Sequence, residues 1–248
     1  MRRRLEPLAF FAVLAAAWEC AVRGFGVPRY LVPPLSAVAS AAWEWRADLV
    51  EHGWVTLQEV LVGLGAAIAA GVAIGVLIHV SPFARRTIYP LVSALQSLPK
   101  IALAPLTIVW LGYGFASKVA STFLFAVFPI VIATLGGFSS TPTSLVEHFA
   151  ALGASPWDTF RRLRLPSALP ALVDGVRVAL PLAVVGAIVG EFVGAERGLG
   201  QLILQASAQS RTDLMFAAIL AVTVLALATF WVVERLARLV WWRGLANA

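Results

Sequence analysis

Apolar residues follow one another in long runs along this chain, and short clusters of charge separate them. No Asp, Glu, Lys or Arg occurs over residues 60–84, 119–146 or 214–233. Each run meets the roughly 18 to 20 residues that a helix needs to cross the hydrocarbon of a bilayer. The whole pattern predicts an all-α integral membrane protein with six transmembrane helices, at about residues 7–22, 54–80, 88–111, 117–137, 171–193 and 214–233. Glu19 and Arg23 shorten the first of these. One transmembrane domain is expected over residues 1–248, with its core over 54–240 and a loop at 139–170 between spans four and five.

Small residues mark where helices approach one another. Gly71 and Gly75 form a small-xxx-small pattern in the second span, with Gly63 and Gly65 one to two turns earlier. Trp54, Trp110 and Trp231 stand near predicted span ends, where an indole keeps its body in lipid and its N–H in water. Two connections are too long for simple turns. The first, residues 23–53, opens with Pro28, Pro33 and Pro34 and continues into Trp43-Glu44-Trp45, which is expected as a short helix on the membrane surface.

Composition agrees with burial in lipid: 60% of residues are hydrophobic and 13% charged, against about 25% charged in soluble domains. The net charge of +6 does not indicate nucleic acid. The basic residues form no single surface, and no aromatic and basic motif for stacking bases accompanies them. Their distribution instead predicts orientation. With both termini in the cytoplasm, that side holds Arg2, Arg3, Arg4, Arg85, Arg86, Arg161, Arg162, Arg164, Arg235, Arg238 and Arg243. The other side holds Arg23, Arg29, Arg46, Lys118, Arg197 and Arg211, so the positive-inside rule favours this arrangement. Cys20 is the only cysteine, which excludes an intramolecular disulfide and a cysteine zinc cluster. Trp18 and Glu19 occupy the place where a signal peptide would need small cleavage-site residues, so an uncleaved first span is expected.

The loop at 139–170 carries the most chemistry. Ser144 and Glu147 have the spacing of a capping box, and Gly153 can end the helix they begin. Ser155-Pro156 starts a second helix, with Asp158 complementing its dipole. Such a pair fits a plain helical connection and also fits docking to a soluble partner. It resembles the cytoplasmic signature of binding-protein-dependent ABC importer permeases: Glu-Ala-Ala, three residues, Gly, nine residues, Ile, any residue, Leu-Pro. Here Glu147, Gly153, Leu163 in place of the Ile, Leu165 and Pro166 stand at those spacings, while His148 and Phe149 replace the alanines.

Similarity to the branch serving sulfonates, taurine and nitrate extends over nearly the whole chain. It is carried by residues 30–38, residues 98–106 with Trp110-Leu111-Gly112, and Gly198-Leu199-Gly200. Glu59 departs from it, standing where similar permeases often carry Arg after Thr-Leu. The resemblance implies a bacterial inner-membrane importer subunit whose loop helix enters a groove of a partner ATPase. It further implies half of a two-fold pore completed by a second, identical permease, and an extracytoplasmic solute-binding protein. ATP and Mg2+ would be used by the partner, because Lys100 and Lys118 lie in no Gly-Lys-Ser/Thr phosphate loop. No cofactor is expected in this chain. The solute implied is a sulfonate, taurine or nitrate, the alternatives being a thiamine-pyrimidine precursor, riboflavin or another small heterocycle.

Ionisable residues at membrane depth are costly and are candidates for function. Lys100 lies in the third span between Pro99 and Pro105, with Gln96 one turn before it. It either faces solute or ties off carbonyls that the prolines free. Gln96, Lys100 and Glu191 are the expected translocation-path residues. Glu191 reads as too isolated for paired-carboxylate catalysis, and Asp174 and Arg177 as a structural pair three residues apart. His52, His79 and His148 are dispersed and give no metal-ligand spacing. No HExxH, GxSxG or paired acidic motif points to an intramembrane enzyme. An ATP-independent channel or scaffold remains the other class to separate from a permease.

Overall fold

A computed structural model describes residues 2–241, and among these every regular element is helical. Helix α1 spans Arg2–Gly24 and covers the first predicted span; α2 is Leu35–Glu44; α3 is Arg46–Val80. α4 is Pro82–Gln96, followed by a 3-10 turn at Lys100–Leu103 and by α5 at Ala104–Leu111. α6 is Phe115–Ser139, α7 Thr143–Ala151 and α8 Pro156–Thr159, from which a π turn at Phe160–Arg164 leads into α9, Leu165–Gly194. α10 is Leu199–Ala208, and α11 is Thr212–Trp241. Arg243 lies outside the described residues.

Among the described residues, four helical stretches are long and apolar enough to cross a membrane: Arg46–Val80, Phe115–Ser139, Pro156–Gly194 and Thr212–Arg238. A fifth arises if Pro82–Gln96 and Lys100–Leu111 are taken as one span bent by 96°. The continuous helix expected at 88–111 is therefore two helices and a turn. Two prolines explain the break. Pro99 biases Leu98 away from a continuing helix, and Pro105 supplies no backbone N–H to the preceding turn.

The core forms where α6 packs between α3 and α9. Val60, Leu64 and Ala67 of α3 meet Ala126, Ile130 and Val131 of α6 and Ala183, Val184 and Ala187 of α9, all buried. Lipid is as apolar as these side chains, so close packing rather than exclusion from water holds the three together. The sequence pattern of small residues marks the seam. A Cβ at Gly71 would collide with Ile130, and one at Gly75 with Thr134.

α2 does not stand free. Its Val38 and Ala41 bury against Ala217 of α11, and Glu19 of α1 accepts from the backbone N–H and hydroxyl of Ser36, at 3.1 and 2.7 Å. Arg177 of α9 bridges Asp174 at 2.6 Å, the pair expected from spacing, and also reaches Glu234 of α11 at 2.7 Å. That second bond fixes α11 against the three-helix core.

Candidate functional site

The connection between α6 and α9 folds as two short helices at one end of the bundle. A capping box does not form. α7 begins at Thr143 behind Pro142, whose φ of −58° leads directly into the helix, so Ser144 already lies inside the first turn. Its other end forms as the sequence predicts. Gly153 takes φ +76°, and the N–H groups of Leu152, Gly153 and Ala154 donate to His148, Ala150 and Phe149 at 3.0–3.1 Å. This left-handed turn satisfies the terminal carbonyls of α7. Ser155 caps α8, accepting from the Asp158 N–H at 3.1 Å while its hydroxyl donates to the Asp158 carboxylate at 2.6 Å.

Most residues of the predicted coupling motif are at the surface of this loop. Glu147, His148, Gly153 and Pro166 are exposed, Phe149 and Leu165 are half-buried, and Leu163 is buried beneath them. Around the motif, Leu145, Leu152 and Trp157 are exposed, the last two by 72% and 67%. Behind it runs an aromatic ladder that spacing alone does not reveal. Trp157 stacks on Phe160 at 5.8 Å, Phe160 on Phe138 of α6 at 5.4 Å, and Phe138 lies 5.3 Å from the ring of His79 at the end of α3. Arg164 donates to His79 Nε2 at 2.7 Å, which requires the proton on Nδ1 because Arg cannot accept.

The three residues expected along a translocation path are not gathered at one place. Lys100 sits in the turn between α4 and α5, half-buried, with its Nζ 5.2 Å from the centre of the Phe128 ring. Gln96, the last residue of α4, is exposed. Glu191 is fully buried near the end of α9 and accepts from the Thr56 hydroxyl at 2.6 Å and from the Gly200 N–H. There it fixes the turn into α10. Leu199 N–H donates to Thr56 Oγ1 at 2.9 Å and Gly198 N–H to His52 Nδ1 at 3.0 Å, while a Cβ at Gly198 would strike the Glu191 carboxyl.

Glu191 is also less isolated than its sequence position suggests. The Glu59 side chain, 2% exposed, faces it from α3, and Lys118 at the start of α6, 4% exposed, lies beside Glu59. Lys118 Nζ donates to the Gly194 carbonyl at 2.9 Å, neutralising the carbonyl end of α9. Lys118 therefore belongs to the packed helix ends rather than to a free surface. A signal for this cluster exists in the chain: His52, Thr56 and Glu59, spaced four and three apart, make a polar stripe on one face of an otherwise apolar helix.

A helical membrane bundle with a proline-broken segment and a protruding helix pair at one end is the architecture of a membrane transport permease. Residues 63–242 match the family described as the binding-protein-dependent transport system inner membrane component, and the chain belongs to it. It is thus a multi-pass inner-membrane subunit of an ABC importer and not an enzyme, and its family implies an ATPase and a binding protein as partners. The formylaminopyrimidine transport permease protein ThiX of Halalkalibacterium halodurans is 37% identical, over 94% of this chain and 93% of its own length. The taurine transport system permease protein TauC of Escherichia coli is 27% identical over 86% and 80%. A solved chain of the MetNI methionine ABC transporter in an inward-facing conformation superposes with a TM-score of 0.70 at 27% identity, covering 79% of this chain and 98% of that one.

Proposed function

We propose that this permease pairs with an identical copy to enclose a path for a small solute handed over by an extracytoplasmic binding protein, and that its α7–α8 loop docks on the partner ATPase. The exposed set of Glu147, His148, Leu152 and Trp157 at one end of the bundle carries the proposal, because it offers both polar and apolar contacts to a soluble groove. ATP and Mg2+ act in that partner. In this reading the chain crosses six times, with α1 as the first span and the bent α4–α5 pair as the third, and both termini are cytoplasmic.

A small nitrogen heterocycle of the thiamine-pyrimidine kind is favoured as the solute over a sulfonate, taurine or nitrate. The observation behind this preference is the 37% identity to the formylaminopyrimidine permease against 27% to the taurine permease. Lys100 and Gln96 then line the path near the two-fold axis, and Glu191 acts at its outer end by holding the turn into α10.

A photo-crosslinker placed at position 152 in a Cys20→Ser background tests the docking. It should capture the ATPase, whereas the same probe at Trp43, equally exposed at 72% but at the other end of the bundle, should not. Capture from position 43 and not from 152 would reverse the proposed polarity.

A further inference from the structure

Glu59, Lys118 and Glu191 are the buried charged side chains among the described residues, and they meet at the end of the bundle opposite the α7–α8 loop. Glu59 comes from α3, Lys118 from α6 and Glu191 from α9. Two carboxylates and one ammonium would leave a net negative charge buried, which is expensive. One proton removes it. The cluster is then a carboxylic acid, a carboxylate and an ammonium, and it is neutral as a whole.

The hydrogen bonds show which carboxyl holds that proton. Glu191 accepts at Oε1 from the Thr56 hydroxyl at 2.6 Å and at Oε2 from the Gly200 N–H, the pattern of an ionised, acceptor-only carboxylate. Glu59 Oε2 is buried and receives no donor from the protein. Lys118 does not serve it, because its Nζ donates to the Gly194 carbonyl at 2.9 Å. As a bare acceptor facing another carboxylate this oxygen would be both unsatisfied and repelled. As an O–H it becomes a donor that faces an acceptor.

We propose that Glu59 and Glu191 form a proton-binding site, in which Glu59 Oε2–H donates to the Glu191 carboxylate and so latches α3 to α9. The proton can exchange with the medium, since Glu59 and Lys118 both line a cleft of about 530 Å³ that opens at this end of the bundle. When it leaves, two carboxylates stand against one ammonium and repel each other across the helix seam. Glu191 also holds Thr56 and Gly200, so the turn into α10 loosens with the latch. This end of the bundle is therefore tighter in acid and looser in base, whatever the solute.

Other titratable or charged groups surround the pair: His52 on α3, Lys118 on α6, and Tyr113, Glu196 and Arg197 around the cleft, with Glu51 bonded to Arg197 at 3.2 Å. Glu59→Gln leaves all of them in place. It removes the proton-binding group alone, while its amide N–H donates to Glu191 at every pH. The folded pair holds a proton that the unfolded chain has released above the ordinary carboxyl range, so the latch's contribution is lost as pH rises. Each pH unit over which the folded pair alone keeps the proton costs about tenfold in the folding equilibrium.

The test uses the permease purified in detergent with its ATPase, whose co-purification verifies assembly. Difference infrared spectra of wild type against Glu59→Gln, taken near neutral pH, should show in wild type the carbonyl stretch of a neutral carboxyl group, displaced by exchange into D2O. Thermal midpoints measured from about pH 6 to about pH 9 should fall more steeply in wild type than in the variant, so that Glu59→Gln is the more stable at the alkaline end. If Glu59→Gln does not assemble, Glu191→Gln decides by the same two readouts, because loss of that charge lets Glu59 ionise opposite Lys118. Absence of the neutral carboxyl band from wild type, or midpoint curves that run parallel in wild type and the assembled variant, overturns the proposal.

Discussion

Gly153 lies in the α7–α8 loop proposed to dock on the ATPase, at a point where added side-chain atoms meet nothing else in the molecule. Its φ of +76° is the left-handed conformation, and a Cβ there would meet no other atom within 4 Å. A substitution therefore creates no clash, and its whole cost is backbone strain in the turn that closes α7. That cost is about 1–2 kcal/mol for an ordinary L-residue, and a β-branched residue lies at or above the top of the range. Asn, which visits this region routinely, costs less. A penalty of about 2 kcal/mol changes the population of the native turn roughly thirtyfold. Coupling should accordingly fall in the order Gly, Asn, Ala, Val, with Gly153→Val lowering binding-protein-stimulated ATP hydrolysis and solute uptake by about tenfold or more. Amounts of inserted permease, measured in membranes, should be the same for all four, because the turn touches none of the buried core. Normal transport by Gly153→Val, or Asn no better than Ala, would refute the assignment of this turn to coupling.

Three further outcomes follow from the geometry. Single cysteines in a Cys20-free background should be labelled from outside intact cells at positions 29 and 197 and not at 85, 162 or 238; outside labelling at 162 sinks the six-span orientation. Lys100→Met should leave the complex assembled with normal basal ATP hydrolysis but lower solute flux, and unchanged flux in the assembled complex rules out its place on the path. Glu191→Ala leaves the Thr56 hydroxyl and Gly200 N–H without their acceptor, at about 1–3 kcal/mol for each buried group. It should lower the thermal midpoint of the detergent-purified complex more than Glu191→Gln does, and equal midpoints would show that the turn into α10 is held by other contacts.

Much of the helical architecture is legible in hydropathy because lipid forces the backbone to satisfy itself within each segment. The long helices α3, α6, α9 and α11 all lie over charge-free or nearly charge-free runs. What hydropathy does not contain is direction. Residues 88–111 are as apolar as a straight span, and only Pro99 and Pro105 signal that the chain turns there through 96°. In the α7–α8 loop, Gly153 and Ser155 are readable because each has one conformational or hydrogen-bonding role. Ser144 was misleading: the φ of Pro142 starts the helix before a side-chain cap is reached. The cluster of Glu59, Lys118 and Glu191 joins three helices, so no local spacing brings its members together. Its one trace is the stripe of His52, Thr56 and Glu59, whose meaning depends on what packs opposite.

The placement of these features bears on how a force at the loop would reach the path. Trp157, Phe160, Phe138 and His79 form a continuous stack from α8 into α6 and α3, and Arg164 clamps the start of α9 to the same His79. Displacing the loop thus loads all three core helices at once. Those helices cannot slide easily past one another, since Gly71 and Gly75 lie against Ile130 and Thr134 with no room for a methyl group. At the far end, Lys118 and Glu191 staple α6, α9, α3 and the turn into α10 together. Three helices bound at both ends and interlocked between them resist relative sliding. The α4–α5 segment is already broken at Pro99, and its turn touches α6 through Lys100 and Phe128. In the proposed reading, in which the α7–α8 loop docks on the ATPase and Lys100 lines the path, this break is where relative motion between the core and its neighbours would be taken up.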